Sequence, residues 1–344
     1  MKRKTVFKGL RIPDDRRIQD LWIAPWASAT VTAAIETGIM EILAKLAATP
    51  QALAKANQLH EESVVSVLRI LVAMGFAKQL GQKFHLTADA QAYLVPSSTL
   101  SRLEELSGHF KTKEHKFMVR KLKETIPQYT TFGALWKDQP QGNAFVQSAA
   151  RGMDSIIKAP AIAVIRTGAF KGVEHVLDVG GGSGAFAVAL TEQQPKTRVT
   201  VLDLPAMCEQ ARQIVESRSS HNINFHPADF FRDPWAEGCD AVFFSNVLHD
   251  WPEEQVQQLL DTSYDVLVDR GRRRGRIYIL EVLRQRNRNG PLMATLFHMH
   301  MQMGFGGAQY TRSDFARILS KSGFGPPRVL AKFGYYSLLM ASKK

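Results

Sequence analysis

A histidine and an aspartate stand side by side at positions 249 and 250, in the stretch FFSNVLHDWPEEQ (243–255). The apolar residues before them predict a buried strand, and Pro252-Glu253-Glu254 predicts the start of a helix. His249 and Asp250 would then lie at a strand end, where α/β sheets commonly carry their chemistry. An imidazole can also fill space at such a place, so this stretch by itself leaves both interpretations open.

A glycine-rich loop follows an earlier apolar run, in VLDVGGGSGAF (176–186). Gly180, Gly182 and Ala185 match the G-x-G-x-x-G/A dinucleotide pattern, so an enzyme that uses a nicotinamide cofactor is one alternative. Asp178 and Gly184 complete a D-x-G-x-G-x-G pattern. A nucleoside cofactor with a cationic amino-acid tail explains the acidic residue, because its ammonium group needs a carboxylate or carbonyl partner. The missing side chains let the backbone approach such a cofactor closely.

Two further carboxylates fall at the ends of the next predicted strands. Asp203 ends the second strand, about where this type of sheet carries a ribose-binding carboxylate. Asp229 and Phe230 follow the third strand and could supply an acceptor for the adenine amine and a ring that stacks on the base. The alternative is that the glycines serve only a tight strand-to-helix turn.

These residues need a scaffold of alternating strands and helices, which is predicted from His175 onward. Apolar runs occur there at intervals that leave room for crossover helices: HVLDV, RVTVLDL, NINFHPADF, DAVFFSNVL and RIYILEV. Such alternation is typical of an α/β fold with a parallel, doubly wound, Rossmann-like sheet. The stretch PRVLAKFGYYSLLMASKK (327–344) predicts two closing strands.

Residues 20–110 are predicted to be mostly helical. In ATVTAAIETGIMEILAKLA (29–47) apolar residues recur at helical spacing, with Gly38 inside the helix. The residues that follow predict helix, turn, helix and two short strands around Gly81-Gln82, which is a winged-helix pattern. The predicted organisation is a winged-helix domain (1–105), a helical connector (106–165) and a Rossmann-like domain (166–344).

The composition is that of a soluble globular chain, with 45% hydrophobic and 22% charged residues. No apolar run approaches the roughly 18 residues that cross a bilayer, and the N-terminus does not have the pattern of a signal peptide. Two cysteines without C-x-x-C spacing suit the cytoplasm, which is the predicted location. The net charge of +12 lies in scattered basic clusters, interpreted as solvated faces and loops.

Five stretches occur in order along the second half: Asp178–Gly184, LDLP (202–205), ADFF (228–231), LHDW (248–251) and LEVL (280–283). In these motifs, and over nearly its whole length, the chain resembles the class I S-adenosylmethionine methyltransferases of the caffeate and hydroxyindole O-methyltransferase type. The resemblance implies S-adenosyl-L-methionine as cofactor and a small-molecule acceptor whose pocket the connector helps to form. It also implies a homodimer formed through the winged-helix domain.

Carried over residue by residue, the resemblance implies a cofactor site. Its residues are Asp178, Gly180, Gly182, Asp203, Leu204, Asp229 and Phe230. It also implies that His249 is the general base for an acceptor hydroxyl and that Glu281 orients it. An imidazole with a pKa of about 6.5 suits this task near neutral pH. A second family carboxylate, in G-G-x-E-R-T, is replaced here by Gln309, which cannot accept a proton.

The stretch LFHMHMQMGF (296–305) adds two histidines on the helix that lines the acceptor pocket in this family. A related subgroup methylates carbon beside the carbonyl of 2-oxo acids, with a metal held by the H-D pair and one such histidine. His249, Asp250 and His300 could hold a divalent transition metal such as Fe²⁺ or Zn²⁺, with His298 as the alternative third ligand. The metal would stabilise an enolate.

The sequence therefore predicts a methyltransferase of specialised metabolism, leaning to C-methylation of a 2-oxo acid. The alternative is O-methylation of a phenol or another hydroxyl acceptor, with His249 as general base. A remote alternative is a winged-helix DNA-binding protein, but EESVVSVLRILVAMGF (61–76) is acidic at its start and largely apolar, unlike a recognition helix. We expect no nucleic-acid or membrane partner.

Overall fold

All the predicted strand runs form strands in the computed structural model, which describes residues 10–124, 144–216 and 222–344. The strands are β1 (Ala77–Leu80), β2 (Lys83–Leu86), β3 (His175–Val179), β4 (Arg198–Asp203), β5 (Ile223–Pro227), β6 (Ala241–Ser245), β7 (Arg276–Val282), β8 (Arg328–Phe333) and β9 (Tyr336–Ser342). The helices of the described ranges are α1 (Arg16–Glu36), α2 (Ile39–Lys45), α3 (Pro50–Asn57), α4 (Glu61–Ala73), α5 (Ala88–Tyr93), α6 (Leu103–Leu106), α7 (Lys113–Lys123), α8 (Ala144–Arg166), α9 (Ala185–Gln193), α10 (Pro205–Glu216), α11 (Glu253–Val266), α12 (Leu292–Phe305) and α13 (Arg312–Lys321).

Seven of these strands form one sheet in the order β5-β4-β3-β6-β7-β9-β8. The first five are parallel, and β9 pairs antiparallel with both β7 and β8. Every residue of β3 and nearly all of β6 are buried, as expected for strands covered on both faces. The prediction of a Rossmann-like α/β fold is confirmed, and the carboxyl ends of five parallel strands meet along one edge.

Aromatic rings fill the centre of this sheet. Phe186 of α9 stacks on Phe243 of β6 with ring centroids 3.8 Å apart, and Phe170 stacks on Tyr278 of β7 at 4.5 Å. The Tyr278 hydroxyl donates to the carbonyl of Ala169 at 3.2 Å, so burial leaves this polar group satisfied. Such packing holds β6 and β7 rigidly beneath the site they carry.

The chain divides into two compact units that interleave along the sequence. We call Met1–Asp15, Thr131–Leu283 and Arg312–Lys344 the sheet unit, and Arg16–Thr130 with Arg284–Thr311 the helical unit. The three predicted sequence segments stay predictions, and residues 125–143 of the predicted connector (106–165) lie outside the described residues.

Within the helical unit, α12 packs against α1 and α4. The Thr30 hydroxyl of α1 lies 3.7 Å from the Met299 sulfur, and the Ser66 hydroxyl of α4 donates to the Gln302 amide oxygen at 2.6 Å. The hairpin of β1 and β2 closes the winged-helix pattern as predicted. The histidines at 298 and 300 therefore lie on a helix whose neighbours come from the N-terminal half of the chain.

The predicted helix through Gly38 is wrong. α1 ends at Glu36 and α2 begins at Ile39, with Gly38 in the left-handed conformation at φ 80°. Glycine favours this conformation at helix ends, which terminates the first helix despite the unbroken apolar spacing. Among the described helices, no single one is long and apolar enough to cross a bilayer. Only α1 and α2 taken together, bent by 66°, meet that length and composition.

Candidate active site

The turn that carries His249 follows β6 directly. Asn246 adopts a left-handed conformation at φ 53°, which asparagine tolerates better than most residues. Its side-chain amide donates to the Tyr336 hydroxyl at 3.0 Å, and its backbone N–H donates to the Leu280 carbonyl at 3.3 Å. A short 3₁₀ turn over Leu248–Asp250 follows. β7 and β9 thus fix the turn that presents His249, and the roles of Asn246 and Tyr336 were not predicted.

His249 and Glu281 are brought together as predicted. The imidazole Nδ1 lies 2.7 Å from Glu281 Oε2, and Nε2 lies 3.3 Å from Asp250 Oδ1, with all three residues buried. Burial disfavours the imidazolium, but the two carboxylates outweigh it and raise the pKa of His249 to about 10. Because the Glu281 carboxylate is the closer of the two, Nδ1 keeps its hydrogen, and Nε2, which lies farther from Asp250, is the nitrogen that can exchange a proton.

The glycine loop lies against the same turn. A Cβ atom on Gly180 would come within 2.7 Å of the Val247 side chain, and one on Gly181 within 2.7 Å of Asp178 Oδ2. A Cβ atom on Gly182 would have no neighbour closer than 4.0 Å, so open space lies above this residue. Gly180 and Gly182 both have positive φ, of 65° and 54°. The loop is closed toward the protein and open on its outer side.

Two carboxylates lie behind this loop. Asp203 accepts hydrogen bonds from the N–H groups of Gly182 at 2.9 Å and Leu204 at 2.7 Å, one on each oxygen. Asp178 Oδ2 is buried without a hydrogen-bond partner. Burial, and then the charge of Asp203, raise the pKa of Asp178 to about 8. Burial likewise raises that of Asp203 to about 6 against the two N–H donors.

This arrangement fits a cationic nucleoside cofactor. The unpartnered oxygen of Asp178 lacks the cation or donor that would stabilise its charge, and Asp203 keeps free lone pairs for two hydroxyl groups. The missing side chain at Gly182 leaves room for the ligand backbone. The two carboxylates and the open space at Gly182 therefore match a nucleoside that carries a cationic amino-acid tail.

Asp229 and Phe230 lie in the loop after β5. Asp229 Oδ1 accepts from the Phe231 N–H at 3.0 Å, so this carboxylate shapes its own loop. The Phe230 and Phe231 rings lie 5.8 and 4.7 Å from the ring of Trp251, which follows Asp250. Trp251 and Phe231 thus build an aromatic wall beside the predicted adenine position. Both stand in motifs of the sequence, but only the structure reveals their contact.

His298 and His300 of α12 both contact other residues of the helical unit. His300 lies among the rings of Trp26 at 5.0 Å and Phe305 at 5.6 Å, and its Nδ1 is buried without a hydrogen-bond partner. His298 Nδ1 accepts the backbone N–H of Gln309 at 3.2 Å. Burial lowers the pKa of His300, which keeps this ring neutral near pH 7.

The metal hypothesis is not supported. Across the ranges that the structure describes, no three His, Cys, Asp or Glu side chains are grouped closely enough to hold a metal ion. The predicted ligands His249 and Asp250 belong to the sheet unit, and His300 and the alternative ligand His298 belong to the helical unit, so this ligand set stays a prediction. His249 Nδ1 faces Glu281 at hydrogen-bond distance. His249 Nε2 lies 3.3 Å from Asp250 Oδ1 in the same turn.

The site and fold define a class of enzyme. A glycine loop after the first strand of a doubly wound sheet, with carboxylates on the ends of the next strands, is the arrangement of an S-adenosylmethionine-dependent methyltransferase. Similarity to known proteins gives the family. The model of the O-methyltransferase domain matches residues 113–325, and this chain belongs to that family.

Individual relatives agree with this assignment. The chain is 30% identical over 319 residues to the 3-hydroxy-5-methyl-1-naphthoate 3-O-methyltransferase of Streptomyces sahachiroi, covering 91% of this chain and 90% of that one. It is 26% identical to the mitomycin biosynthesis 6-O-methyltransferase of Streptomyces lavendulae, covering 93% and 92%. The lean to C-methylation of a 2-oxo acid is therefore corrected, since both relatives methylate oxygen.

Solved structures share the fold. An O-methyltransferase family 2 protein from Planctomyces limnophilus, in complex with apigenin, superposes with a TM-score of 0.78 at 21% identity, covering 97% of this chain and 98% of that chain. Human N-acetylserotonin methyltransferase in complex with S-adenosylmethionine gives 0.57 at 24% identity, covering 95% and 97%. Both structures share the fold of this chain over nearly its whole length.

Proposed function

We propose that this enzyme methylates a hydroxyl oxygen on an aromatic small molecule of specialised metabolism, with His249 as general base. The observation that carries the proposal is the 2.7 Å contact between His249 Nδ1 and Glu281 Oε2 on neighbouring strand ends. A carboxylate there fixes the tautomer and the orientation of the ring, which leaves Nε2 to take the proton. The relatives named above act on a hydroxynaphthoate and in mitomycin biosynthesis, which supports an aromatic hydroxyl acceptor.

The proton transfer requires an unprotonated His249. When bound, S-adenosylmethionine supplies an electrophilic methyl group on a positively charged sulfur. A positive charge above the glycine loop opposes the imidazolium, so we expect the pKa of His249 to fall from about 10 toward neutral pH in the loaded enzyme. Nε2 would accept the hydroxyl proton, which would free the acceptor oxygen to bond to the methyl carbon as the bond between that carbon and the sulfonium sulfur breaks and a neutral thioether leaves. Glu281 holds the resulting imidazolium through Nδ1.

Each predicted cofactor residue contacts a different part of the cofactor in this proposal. We propose that Asp178 faces the charged amino-acid tail, that Gly180 and Gly182 allow close approach, and that Asp203 binds the ribose hydroxyls. The N–H of Leu204 holds Asp203 in place at 2.7 Å. Phe230 stacks on the adenine, and Asp229 shapes the loop that carries it.

The test is methyl transfer to a panel of phenols and hydroxylated aromatic acids. His249→Ala should lower kcat by about 10²- to 10⁴-fold, because a positioned base contributes this much. S-adenosylmethionine affinity should change little. His85→Ala, on the β1–β2 hairpin, is the matched control and should keep full activity. Full activity of His249→Ala would refute the assignment of the base.

Adding a chelator to the assay distinguishes general-base catalysis by His249 from the metal-dependent alternative. With His249 as a simple base, EDTA should leave the rate unchanged, and the product should carry its new methyl group on oxygen in a carbon NMR spectrum. Loss of activity with EDTA that returns with Fe²⁺ or Zn²⁺, or a product methylated on carbon, would overturn the proposal.

A further inference from the structure

Within the described ranges, one hydrogen bond holds the Glu281 carboxylate. Glu281 is 2% exposed, and its Oε2 lies 2.7 Å from His249 Nδ1. Its other oxygen, Oε1, is buried and has no hydrogen-bond partner among the described residues. The Glu281 side chain is therefore not fixed by bonds of its own. Its contact with His249 depends on how the end of β7 and the histidine turn are held against each other.

Asn246 joins the histidine turn to β7 and β9. Its backbone N–H donates to the carbonyl of Leu280, the residue before Glu281, at 3.3 Å. Its side-chain amide donates to the hydroxyl of Tyr336 at 3.0 Å. Because Asn246 lies three residues before His249, these two bonds hold the start of the turn against the strand that carries Glu281.

The backbone of Asn246 needs such support. Its φ of 53° lies in the left-handed region, which is unfavourable for a residue that has a Cβ atom. A conformation of this kind persists where the surrounding contacts hold it in place. The chain leaves β6 and enters the turn at this residue. A change of conformation at Asn246 would therefore redirect the turn and the His249 imidazole with it.

Tyr336 is well placed to give this support. It is 2% exposed, and as the first residue of β9 it pairs with Val282 of β7 and Phe333 of β8. Burial raises the pKa of Tyr336 above its usual range, so the hydroxyl stays neutral near pH 7. A buried tyrosine hydroxyl needs a hydrogen-bond partner, and two neighbouring strands fix where this one lies. The sheet thus offers Asn246 a rigid partner.

We propose that Asn246 and Tyr336 are positioning residues for His249, and that their hydrogen bond sets the orientation in which the imidazole meets Glu281. The inference rests on the proposed role of His249 as general base. Asn246 and Tyr336 act through the turn that carries the base. A general base must be aligned with the proton that it takes, so a small rotation of the imidazole lowers the rate.

Tyr336→Phe removes the hydroxyl and keeps the ring. With a phenol as acceptor, kcat should fall by about tenfold, because a misplaced base loses rate. KM for the acceptor and for S-adenosylmethionine should change by less than about twofold. Asn246→Gly removes the amide, while glycine keeps the left-handed conformation, and it should lose about as much. The double variant should lose no more than either single variant, since all three lack the same hydrogen bond.

Titration of His249 in the free enzyme is a second measurement, and it needs no methyl transfer. Burial lowers the pKa of His249, and the charges of Glu281 and then Asp250, the charged groups that face the ring among the described residues, raise it to about 10. A looser contact with Glu281 should lower this pKa in Tyr336→Phe and in Asn246→Gly by at least about half a pH unit. Nitrogen NMR of protein labelled at histidine measures the shift, and His249→Ala assigns the signal.

Tyr278→Phe is the matched control. Tyr278 is a buried tyrosine of β7 in the same sheet, and its hydroxyl donates to the Ala169 carbonyl at 3.2 Å. This variant should lose thermal stability, as Tyr336→Phe does, but keep the kcat and the His249 titration of the unaltered enzyme. If Asn246→Gly does not fold, Tyr336→Phe and this control decide the question.

Three results would overturn the inference. They are an unchanged kcat or His249 pKa in Tyr336→Phe, additive losses in the double variant, and an equal shift of the His249 pKa in Tyr278→Phe. If no phenol is methylated by the unaltered enzyme, the proposed reaction fails. The titration still decides in that case whether Asn246 and Tyr336 position His249.

Discussion

Asp178 and Asp203 hold protons at a pH where most carboxyl groups are ionised. Their pKa values, about 8 and about 6, lie above the usual value of 3.8 because both side chains are buried, and the charge of Asp203 raises the pKa of Asp178 further. The folded protein therefore binds protons that the unfolded chain releases between about pH 4 and 8. The stability from these protons is fully present below pH 4 and is lost as the pH rises through 6 and 8. A cation bound beside the two carboxyl groups favours their ionised form.

Cofactor affinity should therefore increase with pH from 5 to 8, by up to about tenfold per pH unit where one proton is released on binding. Asp178→Asn should flatten this dependence and weaken binding at pH 8, because the amide has no charge to offer. Calorimetry with S-adenosylhomocysteine, whose ammonium group is the relevant cation, measures both effects. Asp269→Asn, at a carboxylate paired with Arg274, should leave the dependence intact. A pH-independent affinity of the unaltered protein would contradict this account.

The glycine loop after β3 and the histidine turn after β6 are in contact with each other. Val247 occupies the space that a side chain at Gly180 would need, with a separation of 2.7 Å. β3 and β6 pair directly in the sheet, which brings the two loops together. The glycine loop and the histidine turn therefore constrain each other.

Gly180→Ala should weaken S-adenosylmethionine binding by about tenfold or more, because the new methyl group meets Val247 and the left-handed backbone disfavours alanine. Gly180→Ala combined with Val247→Ala should recover the part of the loss that comes from the clash. About 1 kcal/mol from the backbone conformation should remain. Val247→Ala alone is the control, and calorimetry is the measurement. If the loss of binding free energy in the double variant equals the sum of the losses in the two single variants, the two positions are not coupled.

How far the sequence predicted these elements depends on the kind of signal. Apolar runs bounded by polar turns predicted the strands, and the family resemblance predicted that Glu281 orients His249. The break at Gly38 was missed because apolar spacing continues across it. Asn246 and Tyr336 were missed because their hydrogen bond joins residues 90 positions apart. The choice between oxygen and carbon as the methylated atom was missed because one H-D motif can serve both chemistries.

At the scale of the whole molecule, part of the basic excess supports the fold. In the stretch DRGRRRGR (269–276), Arg270 donates to the Gly238 carbonyl at 3.1 Å, and Arg273 donates to the Gly172 carbonyl at 2.9 Å. Arg274 pairs with Asp269 at 2.8 Å. Arg270 and Arg273 thus satisfy backbone carbonyl groups, and Arg274 is neutralised by a carboxylate, which agrees with the interpretation of this stretch as a solvated loop. They do not need an external anion to explain them.

The homodimer remains a prediction, and α1 offers the surface to test it. Ile18, Leu21 and Trp22 lie at helical spacing and are 68%, 72% and 49% exposed. A contiguous apolar face of this kind is a typical contact surface. We expect a dimer at micromolar concentration by light scattering, and a monomer for Ile18→Lys combined with Leu21→Lys. Leu80→Lys, at another exposed leucine, should remain dimeric. A monomeric mass for the unaltered protein would refute the prediction.

The position of β9 has a consequence for how the protein is made. This strand covers Tyr336–Ser342, yet it pairs with β7 in the interior of the sheet, with Ser337 opposite Glu281. Its first residue, Tyr336, also holds Asn246 beside the histidine turn. A nascent chain cannot assemble the sheet edge that carries His249 and Glu281 until residue 342 has emerged from the ribosome. A product that stops before residue 336 would expose the edge of β7, which makes premature termination a route to aggregation rather than to a shorter enzyme.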